Sequence, residues 1–74
     1  MSSVSFAEAR NLVLARLRQW MQELPEAERR RPRKIINFKP YSVLDLIREV
    51  EGNTEVGKIY VMDEAKRLGY VVES

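Results

Sequence analysis

The sequence contains no cysteine and no histidine. Without thiols there are no disulfides to make up for a small core, and a reducing cytoplasm is the expected compartment. The same absences count against a structural zinc site and against imidazole acid–base catalysis. No run of about 18 apolar residues occurs, so no membrane-spanning helix and no membrane partner are expected. The stretch Met1–Arg10 lacks the basic start and continuous apolar core of a signal peptide. Glycine is scarce, at three residues. None opens a phosphate-binding loop, and each reads as helix punctuation. With no nucleophile–base constellation either, no catalytic residue and no cofactor are expected, and the chain does not read as an enzyme. Glu49, Glu51, Asn53 and Glu55 superficially suggest a carboxylate metal site. They lack the glycine position and terminal Glu of a calcium loop, so solvated helix-end charge is the expected reading and no metal is assigned.

What is present fits one domain spanning residues 1–74. At this size roughly 60% of the unfolded surface is buried on folding, so the core is thin. Lys and Arg number 13 and Asp and Glu 11, for a net charge of +2. That balance suits a soluble domain and does not by itself identify a nucleic-acid binder.

Ser5-Phe6-Ala7-Glu8 has the form of a capping box and starts a first helix. Phe6, Val13, Leu17, Trp20 and Leu24 recur at helical spacing, widened by Ala9, Leu14 and Met21. Pro25 ends this helix or opens a further turn. The basic run Arg29-Arg30-Arg31-Pro32-Arg33-Lys34 follows, and Pro32 makes it a connecting loop. Residues 35–38 read as a short strand, bounded by Lys34 and Pro40. Ser42 with Asp45 begins a second helix carrying Val43, Leu44, Leu46, Ile47 and Val50. Gly52-Asn53 turns the chain, and Thr54 caps a third helix. Its inward side is expected to hold Val56, Ile59, Tyr60, Met62, Ala65 and Leu68. Gly69 stops it, and Tyr70-Val71-Val72 reads as a strand. The simplest sheet pairs 35–38 with 70–73. The expected fold class is α+β, mainly helical, with three helices and a small two-stranded sheet.

Tyr41-Ser42-Val43-Leu44-Asp45-Leu46-Ile47, the turn Gly52-Asn53-Thr54 and the exit Leu68-Gly69-Tyr70-Val71-Val72 together resemble the layout of winged helix-turn-helix domains. The resemblance covers residues 34–73. The sequence given ends at Ser74, which leaves no room for a wing, so the expectation is winged-helix-like without a wing. The resemblance implies a small regulatory DNA-binding protein whose third helix leads into the major groove with Thr54, Glu55, Gly57 and Lys58, Val61 lying adjacent. A dimer would supply a second half-site. One departure is the near-neutral charge of that helix, where DNA-reading helices present Arg, Lys, Asn or Gln. A fainter similarity, in Ala7-Glu8-Ala9-Arg10 and Ser42-Val43-Leu44-Asp45-Leu46, is to head–tail joining proteins of lambdoid phages, and implies an assembly adaptor.

The remaining features each have two readings. Arg29, Arg30, Arg31, Arg33 and Lys34 are either phosphate contacts or a solvated loop that Glu23, Glu26 and Glu28 partly neutralise. Trp20 belongs to the core or, with Met21, Val13 and Leu14, to an exposed patch for a protein partner or a second copy. The alternative to DNA binding is therefore a non-catalytic protein–protein interaction module using a hydrophobic helix face.

Overall fold

A computed structural model of the chain describes residues 2–73. Strand β1 (Ser2–Ser5) leads into helix α1 (Phe6–Glu23), and a 3-10 turn follows at Glu26–Arg30. Strands β2 (Lys34–Ile36) and β3 (Lys39–Tyr41) form a hairpin. Helices α2 (Val43–Glu51) and α3 (Glu55–Arg67) and strand β4 (Tyr70–Glu73) complete the fold. It is a mainly helical α+β fold with three main helices and small two-stranded sheets.

The helix starts follow from their caps. Ser5 Oγ accepts from the Glu8 N–H at 3.1 Å, and Glu8 accepts from the Ser5 N–H at 3.2 Å. Ser42 and Asp45 repeat this exchange, both bonds at 3.1 Å. Thr54 Oγ1 accepts from the Gly57 N–H at 3.0 Å and donates to the Glu49 carboxylate at 2.8 Å. Each cap satisfies backbone donors that a helix end leaves orphaned, for about 1 kcal/mol.

The three helices enclose the core. Val13, Leu14 and Leu17 of α1 meet Val43, Leu46, Ile47 and Val50 of α2 and Tyr60, Val61 and Ala65 of α3 in one cluster. Full burial of such a side chain stabilises by roughly 1.5–3 kcal/mol. The inward stripe of α3 runs through Gly57, Tyr60, Val61 and Ala65. Tyr60 and Ala65 are buried as expected and Val56 and Ile59 pack partly against the core, but the stripe is centred on Gly57 and Val61, which leaves Met62 45% exposed. Gly57 sets that phase. A Cβ built there would lie 2.2 Å from the Glu49 carbonyl oxygen and 2.9 Å from the Val50 Cα. Gly57 is therefore a close-approach residue between α2 and α3, not punctuation.

The sheet differs from the expected pairing of 35–38 with 70–73. Strand β4 instead pairs in parallel with β1, Val4 opposite Val72. A parallel pair needs a crossover, and here the whole body from α1 to α3 supplies it. Segment 35–38 is not a strand throughout. Ile36 pairs with Lys39 across the two-residue turn Asn37-Phe38, and Ile35 pairs with Pro40. Bonded and non-bonded pairs alternate along a ladder, so Pro40 falls where its missing N–H is not needed. Among the described residues, no helix is long and apolar enough to cross a membrane.

Candidate nucleic-acid interface

The basic run belongs to an arm that comprises the 3-10 turn and the β2–β3 hairpin. The C-terminus of α1 anchors its root. Arg29 Nε donates to the Met21 carbonyl at 2.8 Å and to the Leu24 carbonyl at 3.2 Å. Arg33 reaches Glu28 at 3.0 Å, and its guanidinium sits 5.8 Å from the Trp20 ring centroid, within cation–π range. Arg31 approaches the same Glu28 at 3.6 Å. Ile36 is buried, Tyr41 is half-buried, and both tie the hairpin to the core. Arg30, Lys34 and Lys39 are exposed and form no ion pair among the described residues.

The five predicted phosphate ligands thus divide. Arg29 caps a helix, Arg31 and Arg33 share one carboxylate, and Arg30 and Lys34 are exposed without an ion pair among the described residues, although the Lys34 charge still acts on Glu64. Lys39 joins the free cations. It was not expected, because Pro40 reads as a strand terminator when the turn before it is unseen. Phe38 and Ile35 were missed for the same reason. Phe38 is 100% exposed and Ile35 72%. The signal that could have revealed them is Asn37 between an Ile-Ile pair and Lys39-Pro40-Tyr41, since Asn tolerates the left-handed conformation that a tight hairpin turn demands.

At the start of α3, the residues assigned to groove contact are mostly committed elsewhere. The Thr54 hydroxyl is engaged with Glu49 and Gly57. Gly57 and Val61 are buried, which corrects the expectation that they face a ligand. Glu55 and Lys58 remain exposed. Lys58 shares a groove with Phe6, Met62, Val72 and Glu73. Phe6 and Trp20 stand about four turns apart on α1, roughly 20 Å along its axis. The arm and the start of α3 therefore do not form one patch.

The proposed partner patch is also corrected. Val13 is 1% and Leu14 5% exposed, so both are core. Trp20 and Met21 are half-buried against that core. Exposed apolar surface lies elsewhere, at Ile35 and Phe38 of the hairpin and in a groove between α3 and β4 lined by Met62, Tyr70, Val71 and Val72.

A more polar groove between α1 and α3 holds Arg16, Tyr60, Glu64 and Arg67. Burial, reinforced by the Glu64 charge, pushes the Tyr60 hydroxyl up to about 12. The hydrogen bond from Arg67 holds Glu64 below the usual carboxylate range. Both shifts fix the charges these groups already carry at neutral pH, so neither is poised as an acid or base. Glu49 and Glu51, two of the four residues at metal-like spacing, are turned to other partners. Glu49 accepts from Thr54, and Glu51 pairs with Arg18 at 2.7 Å.

No family model, no curated protein and no solved structure matches this chain.

Proposed function

We propose that this chain is a small, non-catalytic nucleic-acid-binding protein whose contact surface is the basic arm rather than the start of α3. Segregation of charge carries this reading. Residues 26–41 hold six of the 13 Lys and Arg but only two of the 11 Asp and Glu. The arm therefore carries +4, and the rest of the chain −2. A near-neutral molecule thus presents one cationic end to a polyanion, and four of the six cations there pair with no carboxylate among the described residues, Arg29 being bound to helix carbonyls instead. Helix α3 contributes less, because its exposed first turn offers Glu55 beside Lys58.

Fluorescence anisotropy with labelled oligonucleotides across a salt series tests the reading. Binding is expected to weaken steeply as salt rises, by nearly one unit of log–log slope per phosphate neutralised. The triple change Arg30→Ala, Lys34→Ala, Lys39→Ala is expected to weaken binding to all sequences alike and to flatten the slope. Absence of binding even at low salt would overturn it.

A second reading has its own observation. Met62 is 45% and Val71 46% exposed beside the open edge of β4. That apolar groove favours a protein-interaction or assembly module, or a homodimer. Its contact would change little with salt. Sedimentation at increasing protein concentration, with and without Met62→Lys, separates this reading from the first.

A further inference from the structure

The hairpin tip carries more than charge. Asn37 and Phe38 have φ of +51° and +66°. Two positive φ values in a two-residue loop make a type I′ turn, which favours Asn-Gly. Here an aromatic residue stands where glycine is preferred, in a conformation unfavourable for any L side chain. Its ring gains nothing from the fold in return, since Phe38 is fully exposed. A residue that strains the backbone and packs against nothing is explained by what it meets outside the protein.

From this tip we infer a stacking site for an unpaired nucleobase, with Phe38 as the platform and Lys39 and Lys34, on the two strands behind it, as the phosphate contacts. This rests on the nucleic-acid reading above and narrows it to single strands. The apolar pair Ile35 and Pro40 lies directly behind the tip on the outward face of the hairpin, Ile35 being 72% exposed. The segment from Arg29 to Tyr41 contains no carboxylate to repel a phosphate. Interleaved aromatic and cationic residues of this kind are how single strands are held without sequence readout. A paired duplex hides its base faces inside the stack, so a lone ring on a narrow finger reaches them only in unpaired nucleotides. A bilayer is a poorer fit, because Phe38 and Ile35 alone bring little apolar area to it, whereas one base needs one ring.

The test compares a labelled 12-nucleotide oligo(dT) with a blunt duplex of the same length. Phe38→Ala is expected to weaken oligo(dT) binding roughly ten-fold or more. Its salt slope should stay that of the wild type, and duplex binding should be unchanged. Phe38→Trp is expected to retain affinity, and its emission should be quenched on binding beyond any change that Trp20 shows in the wild type. Circular dichroism confirms that each variant is folded. If Phe38→Ala binds oligo(dT) like the wild type, or loses duplex and single strand equally, the stacking site is overturned while the charged arm stands. If the wild type binds neither oligonucleotide, both proposals fall. Binding of the wild type to anionic phosphatidylserine vesicles but to no oligonucleotide would replace the base with a lipid surface.

Discussion

At the scale of single residues, Phe38 and Arg29 show how a site and a scaffold share one short segment. Phe38 occupies a left-handed position at a cost of about 1–2 kcal/mol without packing in return. Phe38→Gly is therefore expected to stabilise the protein by about 1 kcal/mol, raising Tm by roughly 5 °C in a chain this small. A lower Tm in a melting experiment would show that the ring supports the fold. Arg29 behaves oppositely. Its bonds to the Met21 and Leu24 carbonyls close the end of α1. Arg29→Ala is expected to cost about 1–2 kcal/mol, as for a hydrogen bond from a charged donor. Arg30→Ala should stay within about 0.5 kcal/mol, as exposed substitutions do. Urea midpoints of the two variants would check this, and equal midpoints would contradict the capping role. In the sequence these neighbouring arginines look alike. Only the positions of the α1 carbonyls and of Glu28 distinguish them, and no local pattern encodes those positions.

The elements differ in how openly the sequence declares them. Helices announce themselves locally. Ser5 with Glu8 and Ser42 with Asp45 name their own caps, and apolar spacing over 18 residues defines α1. Strands here are three or four residues long, and their partners are remote or hidden. Strand β1 offers Val4 as its one apolar residue, so its pairing with β4 leaves no alternation to read. The β2–β3 hairpin was obscured because Phe38 takes the place of the turn glycine. The phase of α3 was misread at Met62 because the decisive residue, Gly57, has no side chain to count. Its role gives a firm expectation. Gly57→Ala forces a Cβ into backbone atoms of α2 that cannot swing aside. Such overpacking should destabilise by about 2–3 kcal/mol and lower Tm by 10 °C or more. A Gly57→Ala protein that melts like the wild type would mean that α2 and α3 pack less closely than described.

Across the whole molecule, a helical body and a charged arm are joined by little apolar contact. The body shares one cluster among α1, α2 and α3, to which the hairpin contributes buried Ile36 and half-buried Tyr41. A two-stranded hairpin is marginal on its own, so the arm should open without unfolding the helices. Its like charges push in the same direction, since Lys34 and Lys39 share the hairpin and form no ion pair among the described residues. That repulsion acts through solvent and is screened within about 8–10 Å at moderate salt. Hydrogen exchange is therefore expected to show amides of residues 34–41 opening locally, with the buried amides of α1 and α2 exchanging only on global unfolding. Raising salt should slow exchange in the arm and leave the helices nearly unchanged. Adding oligo(dT) at low salt should protect the same residues more strongly, because ligand bound to the closed arm shifts its opening equilibrium. Equal protection across arm and body at every salt would show a single cooperative unit. The arm would then be a rigid corner of the core, and the charge segregation would have no independently moving element to act on.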